Sequence, residues 1–335
     1  VAVVATARAN AIAKSLNDTT KRLTIEMRNN KFTGYVLGAI AAISYGMNPL
    51  FAVPLYREGM NSDSVLLFRY AIAIPIIIAM MKLRNVSLKI ERRDMTPLAA
   101  LGLIMAVSSI GLFMSYNYMN SGIASTLLFI YPLLVALIMA AMFHERVSKA
   151  TAICIAVVLV GIGLLYKAED GATLSLTGTL LVGLSALSYA IYIVVINLPR
   201  MKHIPSLTLT LYVLFVGVIV FLIRVAFFEG LTLPQQWYHW LNLVGLAIFP
   251  TTISFVCAAR AIQIIGPTPT AILGALEPVS AIFFGVTILG QGLTGREIIG
   301  LILIISAVTV VVAGQRVSDI ASSIGRVFKK KHSPK

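Results

Sequence analysis

Apolar runs long enough to cross a bilayer recur along this chain from residue 33 to residue 314, and that recurrence constrains its fold more than any single motif. Ten can be placed, near 33–55, 64–82, 96–118, 123–142, 149–166, 176–198, 207–228, 240–260, 268–288 and 297–314. About 20 mostly apolar residues make one membrane-spanning helix, because lipid leaves every backbone polar group to be satisfied inside the segment. Two divisions rest on short signals: Asn120 to Gly122 after the third run, and Arg260 with Gly266 and Pro267 after the eighth. Without them each pair would form a helix of about 45 residues, which at about 1.5 Å per residue far exceeds the thickness of a bilayer. A tight turn is therefore expected at both places. The expected fold class is an all-α polytopic membrane protein with ten transmembrane helices. The chain of 335 residues is 58% hydrophobic and only 12% charged, outside the range of soluble domains.

The formal net charge of +14 does not point to nucleic acid, because the positive residues sit in tails and short loops between apolar runs. With the N-terminus inside, the cytoplasmic side carries Lys82, Arg84, Lys89, Arg92, Arg93, Arg146, Lys149, Arg200 and Lys202, and a tail from Arg316 to Lys335. The opposite side has only Arg57, Lys167 and Arg296. Lys/Arg bias of this kind predicts cytoplasmic termini. Trp237, Tyr238 and Trp240 then fall at the outer start of the eighth span, at headgroup level. Residues 1–26 are too polar for a signal-peptide core, and Met27 just ahead of the first span reads as an ordinary start. Cys154 and Cys257 lie inside apolar runs and the four histidines lack ligand spacing, so no disulfide framework, metal site or cofactor is expected.

The chain repeats itself. Ile40 to Tyr45 (IAAISY) matches Leu184 to Tyr189 (LSALSY), and Tyr131–Pro132 lines up with Glu277–Pro278. In that register Glu145 faces Gln291. The division is a polar extension at 1–32, five-helix units at 33–166 and 176–314, and a basic cytoplasmic tail at 315–335. Five is odd, so the second unit must cross in the opposite sense. Two inverted five-helix repeats are a transporter architecture, since similar halves can exchange inward-open and outward-open shapes.

Glu277 stands near the middle of the ninth span, followed by Pro278. A carboxyl at that depth costs several kcal/mol unless it is paired, protonated or facing a polar cavity, and the proline removes a helix hydrogen bond beside it. Pro49 and Pro132 are expected to break the first and fourth spans in the same way. Ser44 and Asn48 share a helix face, as do Ser188 and Tyr192. Ser44 and Ser188 suit close helix packing, while Asn48 is a candidate cavity residue beside Pro49. Tyr45, Tyr189 and Tyr192 supply aromatic walls, Tyr131 is the counterpart of Glu277, and Tyr116 is the deepest of the outer tyrosines. Arg69 lies a few residues inside the outer boundary, where it can snorkel or pair with Asp63, and is assigned a structural or gating role. Glu145 and Arg260, at cytoplasmic helix ends, are placed in the same group.

No nucleotide-binding loop, zinc-binding His-Glu-x-x-His helix or serine with a positioned histidine occurs, so the chain is not read as an enzyme. A channel needs a ring of filter residues or a polar pore stripe. A structural membrane protein is disfavoured by the polar and proline sites that recur within spans.

The chain resembles the EamA-type members of the drug/metabolite transporter superfamily. The resemblance lies in Ser44 to Pro49 of span one, Phe68–Arg69–Tyr70 of span two, Pro132 with Glu145, and Pro278 with Gly300, and covers about residues 33–314. It departs at Tyr45, where the family often has tryptophan, and at Gln291, where the first half has Glu145. The resemblance implies an inner-membrane exporter of amino acids or related metabolites, and the inverted repeat with its helix breaks adds the expectation of alternating access. It also implies a central cavity between spans 1, 3, 4, 6, 8 and 9. The partners expected are a small-molecule substrate, the lipid bilayer and a proton, in a monomer or weak homodimer. Glu277 would serve as an anchor for an ammonium group, as a proton carrier or as a structural acid in the bundle interior. A channel-like or bidirectional facilitator and a non-transport structural membrane protein are the alternatives.

Overall fold

The computed structural model describes residues 31–119, 121–143, 149–165 and 175–288, with 295–296, 298–300, 302–303 and 306–307. The expected extension, the basic tail, Glu145 and most of the tenth apolar run lie outside the described residues. The regular elements among the described residues are helices: α1 (31–45), α2 (Asn48–Arg57), α3 (Ser62–Leu83), α4 (Arg92–Ser115), α5 (Ser121–Leu128), α6 (Tyr131–Phe143) and α7 (Lys149–Leu165). Then follow α8 (Leu176–Ile196), the short α9 (Pro199–Lys202), α10 (Ser206–Phe227) and α11 (Trp237–Leu246). A π-helical stretch at Ala247–Ile253 leads into α12 (Ser254–Ile265), and α13 (Pro267–Leu273) and α14 (Leu276–Thr287) complete the described core.

Among the described residues, seven helical segments are long and apolar enough to cross a membrane: Lys31–Arg57, Ser62–Leu83, Arg92–Ser115, Leu176–Ile196, Ser206–Phe227, Trp237–Ile265 and Pro267–Thr287. The protein is an all-α polytopic membrane protein. The fourth expected span is divided between α5 and α6, and the fifth is the 17-residue α7. Helix α10 shows how such a segment sits in lipid. Phe215, Ile219, Leu222 and Ile223 are exposed along one face, while Leu214, Gly217, Phe221 and Val225 are buried on the other. Both faces are apolar, as befits a helix wedged between protein and hydrocarbon.

Side chains and proline set the helix ends. Asn61 caps α3 by accepting from the Ser64 amide at 2.8 Å, with Asp63 in the first turn. Ser175 caps α8 through the Gly178 amide at 3.3 Å. Gly266, at φ 88°, turns the chain between α12 and α13, with Pro267 opening the next helix.

Helices α3 and α10 run antiparallel, tied at both ends. At one end Arg224 Nε meets Asp63 Oδ1 at 2.8 Å, and the Thr232 amide donates to Ser64 Oγ at 2.8 Å. At the other, the Thr208 hydroxyl donates to the Ser87 carbonyl at 3.2 Å and Tyr212 to the Leu88 carbonyl at 3.0 Å. Helix α4 packs along α8, where Ser108 and Ser185 each donate to the other's carbonyl, at 3.0 and 2.7 Å. Small residues let these backbones approach, and exchanged hydroxyl bonds hold them there.

Four crossings are interrupted near mid-bundle. A turn at Gly46–Met47 separates α1 from α2, one at Phe129–Ile130 separates α5 from α6, and one at Gly274–Ala275 separates α13 from α14. Each interruption is followed at once by proline, Pro49, Pro132 or Pro278, in the first turn of the resuming helix. The missing proline N–H costs least there, because the first amides of a helix have no intrahelical partner. The fourth interruption is the π stretch around Pro250.

The breaks also pack against each other. A Cβ on Gly46 would overlap Ser280 Oγ and the Glu277 carbonyl, whereas one on Gly183 in α8 would meet nothing within 4 Å. Gly46→Ala is therefore expected to lower stability by about 1–3 kcal/mol through overpacking, and Gly183→Ala to leave it equal or slightly higher. Thermal unfolding of the two variants in the same detergent checks this; equal melting temperatures would contradict the close seat of Gly46.

Candidate functional site

The broken helices and α4 enclose a small cavity lined by Tyr45, Gly46, Asn48, Leu112, Tyr116, Ser125, Leu128 and Glu277. The free space between these walls holds about one water-sized molecule. Asn48 and Glu277 are 1% and 7% exposed. They come from the two chain halves, Asn48 opening α2 and Glu277 opening α14.

Glu277 is held by a neutral donor. The Tyr131 hydroxyl donates to Glu277 Oε1 at 3.1 Å, across the paired breaks of the fourth and ninth crossings. Gly274 allows this contact, since a Cβ there would overlap the Tyr131 hydroxyl. Behind Glu277 the tyrosines form a connected wall. Tyr131 and Tyr189 meet edge to face at 4.7 Å, Tyr189 stacks on Tyr45 at 5.9 Å, and Tyr192 stacks on Tyr189 at 6.2 Å. Tyr116 bonds the Ser125 hydroxyl at 3.3 Å on the cavity wall. Of the sequence candidates, then, Tyr45, Asn48, Tyr116 and Glu277 line the cavity, while Tyr131, Tyr189 and Tyr192 stand behind it.

Arg69 is found in a different setting from the one expected of it. It does not snorkel: its side chain is fully buried in α3. Nor does it pair with Asp63, whose cation is Arg224. The guanidinium bridges the two halves instead. Nη1 donates to Asn48 Oδ1 at 2.9 Å, Nε to Thr251 Oγ1 at 2.5 Å, and Nη2 to the Pro250 carbonyl at 3.0 Å. The rings of Tyr45, Tyr70, Phe113 and Phe255 surround it at 5.1–6.0 Å, within reach of cation–π attraction.

The π stretch prepares this contact. Pro250 has no N–H to offer the Leu246 carbonyl, which accepts from Thr251 Oγ1 at 2.7 Å; Thr252 Oγ1 serves Ala247 in the same way at 2.8 Å. The widened turn leaves the Pro250 carbonyl to Arg69. Arg260 lies apart, exposed on α12 and bonded to Gln263 at 3.5 Å. Glu145 is outside the described residues. Sequence reasoning missed Ser125, Thr251 and the aromatic setting of Arg69. The signal available for the last was a cation five residues into the apolar run at 64–82, a placement that is functional by default.

A polytopic helical bundle with a small cavity, mainly apolar but holding an amide and a carboxyl, between interrupted helices has the layout of a membrane carrier. Comparison with known proteins gives the family. The EamA-like transporter family model matches residues 32–167 and again residues 176–313. The chain belongs to that family, which places it among transporters and not among enzymes. An uncharacterized transporter of Archaeoglobus fulgidus is 28% identical over 188 residues, 56% of this chain. The match spans 65% of that relative's length, just under two thirds. A solved crystal structure shares the fold at a TM-score of 0.72 and 20% identity, covering 85% of this chain and 98% of that one.

Double-mutant cycles on unfolding free energy check the ion-pair assignment. Asp63→Asn and Arg224→Gln should couple by about 1 kcal/mol or more, because either alone strands a largely buried charge. Asp63→Asn and Arg69→Gln should add independently. Coupling to Arg69 in place of Arg224 would contradict the arrangement.

Proposed function

We propose that the protein is a secondary transporter that exports amino acids or related small metabolites across the inner membrane by alternating access. The observation that carries this reading is the cavity itself, with room for about one water and lined by Asn48 and Glu277, polar groups beside helix breaks in the two matched halves. Irregular backbone at membrane depth is stable where it lines such a cavity. A cavity this small fits a gated carrier better than an open pore.

On this reading residues 33–166 and 176–314 are two five-helix units of opposite sense, ten crossings in all. The helix pairings support it. Exchanging the halves turns the α4–α8 contact into α2–α11, the α6–α8 contact into α14–α2, and the α4–α10 contact into that of α3 with α11 and the π stretch. The α3–α10 pair maps onto itself. Both termini are cytoplasmic, since the Lys/Arg excess lies on their side and the exposed Trp237 and Trp240 mark the other.

Glu277 carries the coupling. One carboxyl can hold a proton or face an ammonium group but cannot do both, so proton binding and amine binding exclude each other. That exclusion makes the carrier a proton/solute exchanger.

The test is transport in sealed proteoliposomes with a panel of labelled amino acids and an imposed pH gradient, for wild type and Glu277→Gln. The wild type should respond to the gradient and the variant should not, with uptake of ammonium-bearing solutes reduced about tenfold or more. Unchanged transport and unchanged pH dependence in Glu277→Gln would return the residue to a packing role.

A further inference from the structure

Four Asp, Glu or Arg side chains are buried among the described residues, Asp63, Arg69, Asp94 and Glu277, and they divide into two kinds. Asp63 faces Arg224, and Asp94 faces Arg200 at 3.2 Å and His203 at 3.7 Å. Arg69 and Glu277 have no such partner: no ion pair involves either among the described residues. Instead Arg69 is met by an amide oxygen, a hydroxyl and a carbonyl, and Glu277 by a phenol. Removing a cation from water without a counter-charge costs several kcal/mol, which neutral hydrogen bonds offset in part. The fold keeps the two groups apart: Glu277 lines the cavity, and Arg69 stands behind Asn48 in its wall.

Asn48 is the link between Arg69 and that cavity. Its Oδ1 is turned to the guanidinium, while its Nδ2 is buried without a hydrogen-bond partner. The amide thus presents an unused donor at the cavity wall, next to a cation whose Nη1 is held only by an exchangeable neutral oxygen. Two donors side by side, one of them charged, match the two oxygens of a carboxylate. The second half lacks the pair: the residue corresponding to Asn48 is Tyr192, so the site occurs once per chain.

We propose that Arg69 and Asn48 form a carboxylate-binding subsite on the same cavity as Glu277, so that the transported solute is a zwitterion. The proposal rests on the carrier reading above. The carboxylate displaces Asn48 Oδ1 from Nη1 and takes Asn48 Nδ2 as its second donor. The ammonium group faces Glu277. No bond is made or broken; the solute supplies to each buried charge the counter-charge the protein withholds.

The experiment uses the full chain in proteoliposomes with sets of three labelled probes: an α-amino acid, its carboxamide and its N-acetyl derivative. The wild type is expected to move the amino acid about tenfold to a hundredfold faster than the carboxamide, the ratio set by a charged hydrogen-bonded contact. Arg69→Gln should bring that ratio near one while leaving the discrimination against the N-acetyl derivative. Arg69→Lys should restore part of the preference. Asn48→Asp guards against a folding defect, since it sets a carboxylate of nearly the same shape beside Arg69. It should raise the melting temperature and abolish amino-acid transport, while carboxamide transport persists. Equal wild-type rates for acid and carboxamide, or an unchanged ratio in Arg69→Gln, or amino-acid transport by Asn48→Asp with wild-type KM, would each overturn the subsite and leave the carrier standing. Failure of the folded wild type to move any member of any set would overturn the carrier reading, and the subsite with it.

Discussion

A peptide group that leaves helical geometry inside a bilayer must find its partner within the protein, and the centre of this molecule is organised around that constraint. The chain departs from the α-helix at Gly46, at Phe129–Ile130, at Gly274–Ala275 and through the π stretch, in four separate crossings. Amides at the turns bond to carbonyls three or four residues earlier in their own crossing, and side chains beside the breaks join one crossing to another. Tyr131 beside one break reaches Glu277 beside the next, and Arg69 ties Asn48 beside the first to Pro250 in the fourth. Scattered over lipid-facing positions the same breaks would be untenable. Gathered, they form a polar interior in an otherwise apolar bundle.

The two halves contribute unequally to that interior. Spans four and nine break at matching places, in each case just before a residue–proline pair: Tyr131–Pro132 and Glu277–Pro278. Spans one and six do not match. The first carries Gly46, Asn48 and Pro49 and is interrupted, while the sixth carries Ala190, Tyr192 and Ile193 at those places and continues unbroken for 21 residues as α8. Gly46 removes the Cβ that would strike α14, and Pro49 removes a backbone donor. The substitutions of the second half leave neither effect. The first span thus turns at the cavity, while behind it the sixth stays a continuous helix, with Tyr189 stacked between Tyr45 and Tyr192.

Much of this was legible in the sequence because lipid imposes such simple rules. Apolar runs of bilayer length mark the crossings, and the structure keeps helices in all the runs it describes. The prolines mark where helices restart, since a proline is cheapest in the first turn. Glu277 and Asn48 announced themselves as polar groups too costly to leave in hydrocarbon, and both line the cavity. The position of Arg69 was not legible from its distance to a span boundary. Six residues along α3 from the acid assigned to it, it points instead toward groups 21 and 182 residues away in sequence. That acid, Asp63, is satisfied by Arg224 from α10, a pairing set by the packing of two distant helices. The π turn was equally hidden: Pro250 signals a break, but the widening comes from Thr251 and Thr252 back-bonding to carbonyls five residues earlier.

The central claim is that one cavity, bounded by both halves, opens to each side of the membrane in turn. Ser125 is the best reporter, being partly buried on the cavity wall and bonded only through its hydroxyl to Tyr116. With Cys154 and Cys257 replaced by alanine, Ser125→Cys can be probed with a membrane-impermeant thiol reagent from either face of oriented vesicles. The account predicts labelling from both faces, with substrate raising the rate from one face as it lowers the rate from the other. Labelling from a single face under every condition, or from both at once without reciprocity, would contradict it.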